Sequence, residues 1–288
     1  MGVKIHPTAV VSADAELDDD VEIGPFTVIG PQVRIGCGTR LRNHVTVVSH
    51  TVIGSGCDIY PQAVLGGEPQ DLKFRGEESS LIIGDYNIIR ECVTINRGTA
   101  LGGGRTIIGD RNLIMAYVHI AHDCRIGNQC VITNCSQLAG HIAVEDMAII
   151  SGMVAIHHFV TIGTLSFVAG LSAVRTDVPP YMIVDGNPAR VRKLNLEGMR
   201  RRGMPPASVQ ALKEVFRLIY RSDLSRAQVV ESLEHNPLAQ DPAVQNLIRH
   251  FRASEAGCQG RALEALRADR KSAAACAGEM ASDSEEAK

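Results

Sequence analysis

Aliphatic residues recur along this chain at every sixth position. One series runs from Ile5 through Val11, Leu17, Ile23 and Ile29 to Leu65 without a break. A second runs from Ile108 through Ile114, Ile120, Ile126 and Ile132 to Val174, and a short one of Ile83, Ile89 and Ile95 lies between them. A step of six residues is about 600° of α-helix, so these side chains would not share one helix face. Glycine often follows the aliphatic, as at positions 24, 30, 36, 54, 109 and 127. The pattern predicts short strands, each with one inward side chain, joined by tight corners. Three such strands close a triangular coil of about eighteen residues. Residues eighteen apart then stack about 4.8 Å from one another.

On this reading a parallel β-helical prism occupies 1–176, interrupted by GGEPQDLKFRGEESS at 66–80 and GTALGGGR at 98–105. Loops extruded from so regular a coil are read as building a site. A proline-punctuated linker follows at 177–190, then a small helical domain at 191–253. Within that domain Val209, Leu212, Phe216 and Ile219 form one apolar stripe. Val244, Leu247, Ile248 and Phe251 form another, behind an N-cap at Asp241 and a first-turn Pro242. Residues 254–288 are rich in Ala, Glu and Ser and are expected to be largely disordered.

Composition suits a narrow interior. Of the 288 residues 45% are apolar but only 4% aromatic, with no Trp, so the core must be Val, Ile and Leu. A formal net charge of −3 argues against general nucleic-acid binding. A local basic run does stand at Arg190, Arg192, Lys193, Arg200, Arg201 and Arg202. It is read either as a solvated helix start or as a site for phosphates or an acidic partner. Eight cysteines without a CxxC pair, no secretory signal and no membrane-length apolar run predict reduced thiols in a cytoplasmic protein with no stable membrane insertion.

The eighteen-residue stack gives the histidines their interest. His122, Gly140 and His158 fall in one column, and Asp123, His141 and Phe159 in the next. Imidazole can take a proton from a hydroxyl near neutral pH, a neighbouring carboxylate can fix its tautomer, and a bare Gly N–H can face an oxyanion. A lone surface His is usually only solvated; a His and Gly column beside Asp on a prism edge carries more.

The repeat resembles that of the hexapeptide-repeat acyltransferases, which implies a left-handed prism. Spacing alone does not give that hand, and the general preference for right-handed crossovers opposes it. More closely, the segments QDLKF, HIAHDC, LAGH, MVAIHHF, DVPPY, GNPA and NLEGMRRRG resemble, in order over about residues 3–253, the UDP-N-acetylglucosamine O-acyltransferase family. That resemblance implies transfer of an (R)-3-hydroxyacyl group from acyl carrier protein to the glucosamine 3-hydroxyl of UDP-N-acetylglucosamine. It implies a homotrimer with no cofactor and no metal. It also implies His122 as general base, Asp123 as its orienting partner and the Gly140 N–H as oxyanion donor. Asp71, Lys73, His141 and His157 would hold sugar and acyl groups, with Gln70 nearby. Asn195, Glu197, Arg201 and Arg202 match positions that contact the nucleotide sugar from a neighbouring subunit, and Gly170 one that limits acyl length. The sequence departs from the family at His158, where many relatives have Gln, and before Gln70. A 3-amino analogue of the sugar, giving an amide, therefore stays open as acceptor at this stage.

Three further alternatives are weaker, one of them a non-catalytic scaffold with the prism as an assembly surface. A sister enzyme that N-acylates UDP-3-acyl-glucosamine normally carries an N-terminal domain before its repeats, and here the hexads begin at Ile5. A γ-type carbonic anhydrase needs three imidazoles on one zinc, which His119, His122 and His141 could imitate. The cysteines are expected to be bystanders, Cys124 included, although it lies two residues from His122.

Overall fold

The computed structural model describes residues 2–234 and 236–266. The chain winds as a left-handed parallel β-helix with three sheets of 11, 9 and 8 strands. Neighbouring rungs pair in the expected register, Ile5 with Ile23, Ile114 with Ile132 and Ile120 with Leu138. The interruptions lengthen single coils instead of breaking the stack. Ile53 pairs with Ile83 and Ile83 with Ile108, so the extra residues leave as loops and the register resumes.

The six-residue series fills the axis, with Ile29, Ile59, Ile89, Ile120, Ile132 and Ile150 all buried. Its first three members are not fully buried, because among the described residues the first rung has a neighbour on one side only; Ile5 is 48% exposed. A second inward position sits two residues before each aliphatic, beside a corner whose carbonyls point inward. Small polar side chains satisfy them: Thr39 Oγ1 donates to Gly54 O at 2.7 Å and Ser136 Oγ to Ser151 O at 2.8 Å. Cys124 and Cys130 take the same position, their thiols 3.1 and 3.2 Å from the carbonyls of Ala139 and Glu145. The corners themselves place residues such as Asp123, Gln129, Cys135 and His141 at φ near +60°.

Beyond Val174 the structure departs from the expected linker at 177–190. Met182–Gly186 adds a strand to the eleven-stranded sheet, and Ala189–Leu194 folds back on it antiparallel. The alternation of inward Met182 and Val184 with outward Ile183 and Asp185 favours a strand there over a coil. Helices α1 (Leu196–Arg201), α2 (Pro206–Arg221), α3 (Arg226–Glu234) and α4 (Pro242–Glu255) then form a second core. The α2 stripe is rotated from the expected one. Ala211, Leu212 and Val215 are buried, while Val209, Phe216 and Ile219 sit at its margin, because α2 packs mainly against α4. The α4 stripe and its Asp241 cap lie where expected, with Oδ1 accepting from Ala243 N at 2.9 Å.

The expected disorder from residue 254 is corrected in part. α4 continues to Glu255, and a 3-10 turn at Gly260–Leu266 packs back on the prism. Contacts outside the helical domain hold this turn, and periodicity within the tail does not reveal them. Residues 267–288 lie outside the described residues.

His250 on α4 gives an acid-stability prediction. Burial first, and Arg226 second, push its imidazole down to about 4. Above pH 6.5 the ring is neutral in both states. Below it the unfolded chain takes up a proton that the folded chain refuses until about pH 4. Stability should therefore fall by about 3 kcal/mol between pH 6.5 and 4 from this residue alone. Urea unfolding at pH 7 and 4.5 checks it: His250→Gln should shrink the difference between the two midpoints, and an unchanged difference would clear His250 of the effect.

Candidate active site

His122, Asp123, Gly140, His141, His157 and His158 share one corner of the prism, across three successive rungs. The rungs are tied by backbone bonds, His141 N to His122 O at 3.0 Å and Phe159 N to Gly140 O at 3.1 Å. The expected stacking of His122 under Gly140 is therefore present. A cleft of about 390 Å³ opens there, lined by Gln70, Asp71, Leu72, Lys73, His122, Ala139, Gly140, His141 and His158.

Asp123 is buried and multiply held. Its carboxylate accepts the Thr99 N–H at 2.8 Å, the Thr99 hydroxyl at 2.7 Å and the His122 Nδ1–H at 2.8 Å. Burial pushes its acidity the other way, but His122, Thr99 and the nearby His141 outweigh it, so the carboxyl sits below its ordinary value. An ionised carboxylate can only accept, so the bond fixes the proton on Nδ1 and leaves the Nε2 lone pair available. The Thr99 ligands come from the 98–105 interruption, which gives that loop its role. The opposite wall comes from the 66–80 loop, where Lys73 N bonds Asp71 Oδ1 at 3.0 Å in a tight turn. Arg97 anchors the base of that loop through Glu68 and Ser49.

Gly140 has no room for a side chain. A Cβ there would lie 2.6 Å from His122 Cε1 and 2.8 Å from Nε2. Its N–H makes no hydrogen bond among the described residues, so it is available to an incoming oxygen. His141 stacks on Phe159 with ring centroids 4.3 Å apart and meets His122 edge-on at 5.1 Å. Cys124 is no rival nucleophile. Its burial pushes the thiol up to about 12, and its Sγ–H is spent on the Ala139 carbonyl.

The other expected residues lie elsewhere on this chain. Gly170 is exposed on the next corner, stacked above Gly152. The α1 group sits at the third corner. Arg202 Nη1 donates to Gln129 Oε1 at 2.6 Å, and Glu197 pairs with Arg200 and Arg201, which hold its carboxyl down to about 2. Asn195 is buried, capping α1 through Gly198 N at 3.0 Å and donating to Leu165 O at 2.9 Å. Sequence reasoning missed Thr99, Leu72 and Glu264. Thr99 was hidden in a loop whose geometry the hexad pattern does not specify.

Among the described residues His122, Asp123 and His141 form one cluster of possible metal ligands and His157, His158 and Glu264 another, neither with three imidazoles from one chain, while His119 Nδ1 is engaged by Thr94 Oγ1 at 2.7 Å. A larger cavity of about 640 Å³ lies between the prism end and the helices, beside Asp177, Tyr220 and His250. It contains none of the residues just described, so size alone does not select the site.

Comparison with known proteins identifies the family. Residues 177–259 match the second domain of the family described as UDP-N-acetylglucosamine O-acyltransferase, and residues 105–140 match the bacterial transferase hexapeptide repeat. An acyl-[acyl-carrier-protein]–UDP-N-acetylglucosamine O-acyltransferase of Verminephrobacter eiseniae is 47% identical over 252 residues, 87% of this chain and 96% of the relative. One from Synechocystis is 52% identical, covering 84% of this chain and 87% of the relative. The crystal structure of the UDP-N-acetylglucosamine O-acyltransferase from Moraxella catarrhalis superposes with a TM-score of 0.82 at 43% identity, covering 85% of this chain and 95% of that one. The Arabidopsis UDP-N-acetylglucosamine acyltransferase gives 0.78 at 36%, with coverages of 87% and 96%.

Proposed function

This chain belongs to the UDP-N-acetylglucosamine O-acyltransferase family, and from that premise we propose which of its groups carry the reaction. It is an acyltransferase that uses acyl carrier protein as donor and UDP-N-acetylglucosamine as acceptor, the first step of lipid A biosynthesis. The acyl group is an (R)-3-hydroxyacyl chain and the acceptor atom is the glucosamine 3-hydroxyl oxygen. As that oxygen attacks the thioester carbonyl, His122 Nε2 takes its proton. Asp123 stabilises the imidazolium so formed. The carbonyl oxygen becomes an oxyanion facing the Gly140 N–H. Collapse breaks the C–S bond, and the imidazolium returns the proton to the departing carrier thiolate. Holding both substrates in the cleft makes the attack effectively unimolecular, so no covalent acyl-enzyme is needed. Asp71, Lys73, His141, His157 and Gln70 position sugar and acyl groups. The observation that carries this reading is the buried Asp123 on His122 Nδ1, one rung from an open glycine amide.

The oligomer belongs to the same proposal. Gly170 and the Asn195–Arg202 group match substrate-contacting positions of the family, yet on one chain they occupy two corners away from His122. A homotrimer of parallel prisms brings a neighbour's corners to each His122 edge, so the site is complete only between subunits. We place the enzyme in the cytoplasm, with its two substrates; among the described residues no helix is long and apolar enough to cross a membrane.

The test is incubation of UDP-N-acetylglucosamine, and separately of its 3-amino analogue, with a ladder of 3-hydroxyacyl carrier proteins, with products read by mass spectrometry. The expected product is the 3-O-acyl ester, lost on mild alkaline hydrolysis. An alkali-stable amide formed only with the 3-amino sugar, or no transfer to either sugar, would overturn the reading.

A further inference from the structure

The 3-10 turn at Gly260–Leu266 begins at the residue after the family match stops, so the resemblance assigns it no role. It nevertheless touches a residue that lines the cleft. Glu264 Oε1 lies 3.1 Å from His158 Nε2, an ion-pair distance though not a hydrogen-bond alignment, and His158 is one of the cleft-lining residues. Glu264 is only 7% exposed, and carboxylates are that buried only when partnered. Its other oxygen takes Arg261 Nη2 at 2.6 Å.

The turn is docked by a close approach. Gly260 has φ +65°, and a Cβ there would fall 1.7 Å from Asp177 Oδ2. Asp177 in turn accepts the Thr161 N–H at 2.9 Å, three residues along from His158. The effect extends to His157, whose ring centroid is 3.9 Å from that of His158. Burial lowers the His157 pKa; the His158 carbonyl bonded to its ring opposes this, the His158 and Arg261 side chains add to it, and Glu264 opposes it.

We propose that residues 260–266 form a strap behind the cleft wall, in which Glu264 is a positioning residue that orients His158 toward the nucleotide sugar. A Gln at position 158 would need no carboxylate to hold it. The strap and the imidazole thus form one unit. The inference rests on the cleft being the acceptor site.

Steady-state kinetics on the full-length protein with saturating acyl donor test it. Glu264→Ala should raise KM for UDP-N-acetylglucosamine about tenfold, or about 1.4 kcal/mol, with kcat within about twofold. Gly260→Ala, which touches no cleft residue, should raise KM alike and increase hydrogen exchange over 260–266. In a His158→Gln background Glu264→Ala should change nothing further. An unchanged KM in Glu264→Ala, an equal rise in the His158→Gln background, or a loss in kcat alone would overturn the proposal. Calorimetric binding of UDP-N-acetylglucosamine to the same variants reads the strap without the donor. Failure of wild-type turnover with that binding pattern intact would then sink the catalytic reading and leave the strap standing.

Discussion

His122→Ala should lower acyl transfer by about 10³-fold, within the range that a positioned general base contributes, with oligomeric state and melting temperature unchanged. The side chain lies at a prism corner with one polar partner, so its removal leaves the axial core intact; the six-residue series packs without it. The loss should appear in kcat and kcat/KM together, since the imidazole acts on the proton in flight. Asp123→Asn tests the other half. The amide nearly matches the carboxylate in shape but offers His122 an N–H as well as an oxygen, so the ring can flip its proton to Nε2 and lose its base. Activity should fall by at least about 10²-fold. The Thr99 bonds make Asp123→Asn costlier to the fold than His122→Ala, so a modest drop in melting temperature belongs to the expectation. Retained transfer in His122→Ala at near wild-type rate would remove the proposed base, whatever the family.

The fold was legible because a β-helix repeats one decision. Each hexad states an inward aliphatic and a corner, and each rung lies on the last, so an error at one position does not propagate. Register followed from the same arithmetic and placed His122 under Gly140. The helical domain was less legible. Val209, Phe216 and Ile219 match a helical stripe as well as Ala211 and Val215 do, and only the position of α4 decides which face is covered. The strands at Met182–Gly186 and Ala189–Leu194 were masked by the prolines and glycines around them. At the site, residues in the repeat were foreseen, while Thr99 and Glu264 were not. Both reach the corner through excursions whose paths are set by tertiary contacts, Thr99 at Asp123 and Glu264 at His158.

Gly140→Ala should cost about as much activity as misplacing the base by 1 Å, about 10²-fold, while leaving the oxyanion donor chemically present. The added Cβ would sit 2.6 Å from His122 Cε1, 2.8 Å from Nε2 and 3.1 Å from Nδ1, so it strikes the whole ring edge. The imidazole has little freedom to yield. Nδ1 is tied to Asp123, which Thr99 holds through both its amide and its hydroxyl, so moving the ring breaks its orienting bond. Backbone strain does not explain the loss, because Gly140 is absent from the positive-φ positions and Ala can adopt its conformation. Gly2→Ala, before the first rung and far from His122, is the control. Its Cβ would meet nothing within 4 Å, and activity should stay within about twofold, since no catalytic group is displaced. Pre-steady-state transfer from the acyl carrier with UDP-N-acetylglucosamine compares the two variants. Equal activity in both would mean that the His122 ring is not held where it stands here, and that the contact between base and oxyanion rung does not govern the reaction.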